Sequence, residues 1–140
     1  MSTQTAHLDE LSDEQCWLAL RTAVVGRLAV RSGEGVDVFP VNFTAFENAI
    51  YLRSAPGSKL VAITDSPSVA FEVDGSHGSE RYWSVVLRGT AERLANDSEI
   101  TASGVLDLPT STATAKWNFV RITPTAISGR RFTSAKRSSP

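Results

Sequence analysis

Residues 36 to 60 are VDVFPVNFTAFENAIYLRSAPGSKL, a segment that alternates and turns as a β protein does. Two β-rich runs, Val36 to Phe43 and Ala49 to Arg53, flank a short polar connection containing Glu47 and Asn48, the pattern of a β-hairpin. In the first run Val36, Val38, Pro40 and Asn42 share one face, and Asp37, Phe39, Val41 and Phe43 the other. Pro40 cannot donate to a strand ladder, so it belongs at an edge or a bulge, where a flat ligand could pair with exposed backbone groups.

The second run ends in Arg53, Ser54, Ala55, Pro56, Gly57, Ser58 and Lys59, and the apolar segment LVAI that follows reads as a helix start. A strand that ends in a cationic turn at a helix N-terminus suits an anion. Pro56 fits a first helical turn, Ser54 and Ser58 offer hydroxyls, and unpaired amides there face a negative ligand. Arg53 can hold two oxygens of a phosphate with its planar fork, and Lys59 adds a compact charge if the chain turns back at Pro56-Gly57. The same charges beside a Pro-Gly turn also suit a solvated surface. The GxxxxGK[ST] frame of a Walker loop is missing.

Outward from this hairpin, residues 1 to 10 read as a loose leader. Ser12, Asp13, Glu14 and Gln15 match a capping box, which predicts a helix from Asp13 to about Thr22 that buries Leu18 with one or more of Cys16, Trp17 and Leu20. The run from Val24 to Arg31 reads as a strand in which Gly26 marks a bulge or a close backbone approach. A short helix over Lys59 to Asp65 stops near Ser66-Pro67. Val69, Phe71 and Val73 alternate with polar or small residues as in a half-buried strand. The loop from Gly75 to Glu80 leads into a long strand over Arg81 to Arg93. Asn96 to Thr114 reads as a short helix plus a surface loop. Lys116 to Ile122 is a strand interrupted by Pro124, with Ala126 to Ser128 continuing an edge. Six or so strands with few helices predict a mainly β, antiparallel barrel instead of a doubly wound sheet.

Four segments in this order, FPVNF, IYLRSAPGSKL, VAFEVD and YWSVVLRGTAE, resemble the FMN-binding split-barrel proteins related to pyridoxamine 5'-phosphate oxidase, from about Leu11 to Phe132. The resemblance implies a homodimeric antiparallel split β-barrel with a few short flanking helices, holding FMN at the subunit interface. It places Arg53, Ser54, Ser58 and Lys59 at the FMN phosphate, and Pro40, Val41 and Asn42 along the isoalloxazine ring. It puts the Trp83-Ser84 segment beside the flavin and lets Arg130 approach it across the dimer. Trp83 equally suits the core, where its large area would dominate packing. The implied organisation is a leader over 1–10, one domain over 11–132 and a basic tail over 133–140.

Composition narrows the remaining classes. With 140 residues and a net charge of -1, the chain suits one domain and gives no global attraction to nucleic acid or an anionic membrane. The four cations between Arg130 and Arg137 fit a solvated tail better than a nucleic-acid contact, because aromatic residues hardly interleave them. The polar N-terminus lacks an apolar signal core, and no apolar run reaches the roughly 20 residues of a membrane span. A cytoplasmic location is therefore expected. The single Cys16 rules out an internal disulfide and a cysteine metal cluster, and fits an inert packed thiol. His7 and His77 lack the neighbours of a metal site or a triad.

No Asp, Glu, His or Cys stands where a general acid or base can be named, so the catalytic set is empty beyond the flavin. The expected function is an FMN-dependent oxidoreductase that reduces a small electron-poor substrate. Pyridoxamine phosphate oxidation would need a second phosphate site, for which only Arg130 and Arg131 offer themselves, and the histidine of nitroimidazole-reductase-like members has no match on these strands. The alternatives are a barrel that binds F420 or haem, and a flavin-binding or sensing protein without turnover.

Overall fold

The structure, a computed structural model, describes residues 7–54, 62–63, 65–108 and 118–133. Along the chain it places strand β1 (His7–Leu11), helix α1 (Asp13–Leu20), and strands β2 (Val25–Ser32), β3 (Gly35–Phe46), β4 (Ala49–Ser54), β5 (Ser68–His77) and β6 (Arg81–Arg93). Helix α2 (Asp97–Ser103), a single 3-10 turn (Val105–Asp107) and strand β7 (Asn118–Thr133) complete it. All pairings are antiparallel. The order β7-β4-β3-β2-β5-β6 closes where β6 pairs back onto β7, and β1 adds along the far end of β7. This is the antiparallel split barrel that the sequence predicts.

The decisive hairpin forms as expected. Glu47 and Asn48 both take positive φ, 47° and 57°, which is the two-residue turn whose twist matches that of the flanking strands. Register then puts Phe43 opposite Leu52 and Phe46 opposite Ala49. Before Phe43, β3 leaves β4 and runs with β2, pairing Gly35 to Asn42 with Ser32 to Val25. Among the described residues no strand pairs with β3 on its other side there, so Pro40 sits at an edge.

Inward-facing residues of every barrel strand meet in one core that includes Leu28, Phe43, Ile50, Phe71, Val85, Leu87 and Ile122. The rings of Phe43 and Phe71 meet edge-on at 5.0 Å near its middle, an arrangement worth about 0.5–1.5 kcal/mol beyond the buried area. Gly26 is where β2 crosses this ring: a Cβ there would stand 2.3 Å from Phe71 Cζ, so the close backbone approach is real. Helix α1 starts in the expected capping box, with Ser12 N donating to Gln15 Oε1 at 2.9 Å and Gln15 N to Ser12 Oγ at 3.2 Å.

Several local expectations are corrected. Helix α1 ends at Leu20 and buries Cys16, Trp17 and Leu20, while Leu18 is 55% exposed. His7 to Glu10, expected as part of a loose leader, belong to β1 and pair with Thr133 to Arg130. β5 continues through His77, which leaves only residues 78–80 as the turn into β6. β7 runs unbroken for 16 residues, and Gly129 to Phe132 lie inside it between β1 and β6. Pro124 is accommodated by a register shift at Arg88/Gly89, not by ending the strand. Residues 133–140, expected as a basic tail, lie outside the described residues from 134 onward.

Candidate functional site

Alternation and register together sort the predicted site residues by face. Pro40 stands opposite Arg27, Arg27 opposite Glu72, and Glu72 opposite Val86. One step along the strands, Asp74 stands opposite Ser84 and Ser84 opposite Arg130. Paired residues in an antiparallel sheet project to one side. Pro40, Asn42, Ser84 and Arg130 therefore share the outer face of the barrel with Arg27, Glu72 and Asp74. Val41 and Trp83 point the other way: Val41 packs against the core and Trp83, 6% exposed, is part of it.

Within this band the residues fall into two groups. The first forms where β3 changes partner. Pairing with β4 stops at Phe43–Leu52, one residue from Asn42 on β3 and from Arg53 on β4, so these two polar residues mark the mouth of the split, where β3 turns to β2 and β4 continues along β7. Arg53 is half-buried and its Nη1 donates to the Leu106 carbonyl at 2.8 Å, which anchors the guanidinium against the 3-10 turn. Ser54 is the last residue of β4, opposite Asn118. Ser58 and Lys59 lie outside the described residues, while Ala62 and Ile63 are helical, followed by a Ser66 N to Ala62 O bond at 2.9 Å.

The second group is Ser84 with Arg130. They are cross-strand partners and line a groove of about 350 Å³ with Glu10 and Gly129. Two strands, β2 and β5, separate it from the first group, roughly 14 Å at the usual strand spacing.

Between the groups lies a charged cluster that reading the sequence in order missed. Arg27 Nη1 donates to Glu72 Oε1 and to Asp74 Oδ2, both at 3.0 Å. Burial, then the neighbouring Asp74, pushes the Glu72 carboxyl above its ordinary value, and Arg27 offsets only part of this. The signal was present: Glu72 and Asp74 alternate with Phe71, Val73 and Gly75, so both face outward. Their partner Arg27 is 45 residues distant from Glu72, and only sheet register brings them together.

Behind Arg53, a second small core of Ala49, Tyr51, Ile100 and Val105 fixes α2 to the barrel. Tyr51 donates its hydroxyl to Glu99 Oε2 at 2.8 Å, and Arg121 bridges Glu99 and Glu92. Burial and then the Glu99 carboxylate raise the Tyr51 pKa, so the phenol keeps its proton and the hydrogen bond. This network holds the 3-10 turn whose Leu106 carbonyl anchors Arg53.

A family model described as pyridoxamine 5'-phosphate oxidase matches residues 12–131, from the α1 cap to the middle of the β7–β1 pairing. The chain belongs to the pyridoxamine 5'-phosphate oxidase family. It is 38% identical to a Corynebacterium glutamicum protein provisionally named a pyridoxamine 5'-phosphate oxidase, with a TM-score of 0.81 over 91% of this chain and 100% of that one. Identity to the FAD binding protein from Mycobacterium smegmatis is 34%, with a TM-score of 0.76 over 90% and 99% of the two chains. An FAD-binding protein from Mesorhizobium loti is 27% identical, with a TM-score of 0.84 over 93% and 100%. The matched span of the family model contains Pro40, Asn42, Arg53, Ser84 and Arg130, so both outer-face groups belong to the part of the chain that this family shares. Among the described residues no three His, Cys, Asp or Glu side chains are grouped to hold a metal, and no helix is long and apolar enough to cross a membrane.

Proposed function

We infer that this chain is a flavin-binding oxidoreductase that reduces a small electron-poor substrate, working as a homodimer in the cytoplasm. The observation that carries the reading is the placement of Asn42 and Arg53 just beyond the last β3–β4 pair, at the open mouth of the split, beside an edge of β3 that no described strand covers. The donor set fits a flavin. A planar ring would lie along the β3 edge that carries Pro40, Val41 and Asn42, and the anchored Arg53 offers a fixed cation to a phosphate. Ser54, Ser58 and Lys59 would complete the phosphate turn.

The roughly 14 Å between the two outer-face groups favours a shared site. One protomer would hold phosphate and ring through Arg53 and Asn42, and the second copy would close over them with Ser84 and Arg130. Trp83 enters this site only through its backbone, because its indole is committed to the core. A bound flavin supplies hydride or electron transfer, and the protein supplies position and exclusion of water.

FMN is what the family resemblance implies, and the names of the Mycobacterium smegmatis and Mesorhizobium loti relatives point to FAD. Titration of the apo protein with FMN, FAD and F420, read by absorbance and fluorescence, separates them. Stoichiometric uptake of FMN with weaker FAD is the expected result. Tighter F420 binding, or no uptake of either flavin, would overturn the cofactor assignment. Reduction of quinone or nitro acceptors by the loaded protein with NAD(P)H then tests turnover.

A further inference from the structure

One further cavity among the described residues belongs to neither group. It has about 670 Å³, within the range of small-molecule sites, and lies on the outer face where β2, β5 and β6 run side by side. Its floor is made by Ala29 and Ala70, which are register partners, so two methyl groups stand where larger side chains would fill the surface. Its walls are Arg31 on β2 and Arg88 on β6. Arg88 is the register partner of Ala70, and Arg31 follows Ala29 by two residues on the same face, so one arginine borders the alanine floor across the strands and the other along β2.

The charge of this cavity is one-sided. Among the described residues no carboxylate lines it, and neither Arg31 nor Arg88 takes part in an ion pair. The hydroxyls of Ser68 and Thr90, themselves register partners, lie at its far end. The Thr125 hydroxyl donates to the Arg88 carbonyl at 3.2 Å, at the bulge between Arg88 and Gly89. That bulge bends the strand pair and holds the backbone from which Arg88 projects.

Two arginines with no acidic partner among the described residues, beside two hydroxyl groups, suit an oxyanion, and an arginine fork can hold phosphate or carboxylate bidentately. The alanine floor suits an apolar body attached to it. We propose that the Arg31–Arg88 cavity binds a small amphiphilic oxyanion, a phosphate monoester or carboxylate with an apolar or aromatic body. This site is distinct from the flavin phosphate site at Arg53 and does not depend on the flavin reading.

The test titrates the full chain with inorganic phosphate and with phenyl phosphate, following backbone amide shifts of Ser68, Ala70 and Thr90. Both probes are expected to shift these amides, phenyl phosphate at lower concentration because its ring covers the floor. Arg31→Gln with Arg88→Gln is expected to weaken phenyl phosphate binding at least tenfold. Ala70→Leu, which fills the floor, is expected to cost phenyl phosphate more than inorganic phosphate. Flavin uptake should be unchanged in all three substitutions, which separates this site from the one at Arg53. Absence of shifts at millimolar phenyl phosphate, or equal affinity in the double arginine variant, would overturn the proposal.

Discussion

The indole of Trp83 occupies the space over Gly75, its cross-strand partner, so closely that a Cβ on Gly75 would lie 2.7 Å from the indole Nε1. Trp83 is 6% exposed and packed in the core, so it has nowhere to retreat. Gly75→Ala is therefore expected to destabilise the fold by about 1–3 kcal/mol, the usual cost of overpacking. Urea unfolding followed by tryptophan fluorescence measures it. An unchanged midpoint would show that the indole can move aside and that the contact is softer than its geometry implies.

The Glu72 carboxyl gives stability a pH dependence of definite sign. Its folded pKa is raised above the ordinary 4.5, chiefly by burial and then by Asp74. The folded chain thus binds this proton more tightly than the unfolded chain does. Stability must fall as pH rises from 4.5 through the raised folded value. Glu72→Gln should remove this part of the slope while leaving the Arg27–Asp74 bond in place. Unfolding curves taken across the mildly acidic range in wild type and variant decide it, and an identical slope in both would refute the assignment.

What the sequence revealed follows physical lines. β5 and β6 were legible because Val69, Phe71, Val73, Val85 and Leu87 keep a strict period of two against one core. β1 was not, because four of its five residues are exposed and its ladder depends on a partner more than a hundred residues away. The second half of β7 was obscured by Pro124 and by the register shift beside it, which breaks the alternation that marks a strand. Leu18 looked buried because short helices leave the choice of apolar face open between neighbouring positions, and Cys16, Trp17 and Leu20 took the inner one. At the site, the placement of Asn42 and Arg53 just beyond the last pair of the hairpin was implicit in its register. The Arg27–Glu72–Asp74 cluster and the Arg31–Arg88 cavity were not, since both join strands that are remote in sequence.

Cys16 shows the opposite case, a bland expectation that holds. Its thiol is fully buried, and burial followed by the Asp13 charge raises its pKa, so the reactive thiolate is disfavoured. It packs against β7 so tightly that a Cβ on Gly129 would stand 2.6 Å from Sγ.

Arg53 carries the phosphate end of the proposed flavin site. Its guanidinium is held by the Leu106 carbonyl, so little side-chain freedom remains to be lost on binding. Arg53→Ala is expected to weaken FMN affinity by roughly ten- to hundredfold, in line with about 1.5–3 kcal/mol for a charged hydrogen bond. Adding Lys59→Ala should weaken it further. Arg53→Lys should recover only part, since a point charge does not replace the fork. Fluorescence titration reads all three. Unchanged affinity in the double alanine variant would make both residues surface charges and remove the phosphate site from this turn.

The proposed dimer has its own handle on β3. Val36 and Val38, 66% and 63% exposed, lie on the same outer face as Pro40 and Asn42, along the edge that no described strand pairs. Exposed valines on an uncovered edge are what a second chain would bury and what a lone protomer would ordinarily mask with charge. Val36→Lys with Val38→Lys should therefore shift the protein toward monomer by light scattering. If the flavin is shared between protomers, the same variant should lose flavin affinity although neither valine contributes a polar group to it. A variant that stays dimeric and binds flavin normally would place the interface elsewhere. One that becomes monomeric yet keeps full flavin affinity would confine the whole site to a single protomer and leave Ser84 and Arg130 without a part in it.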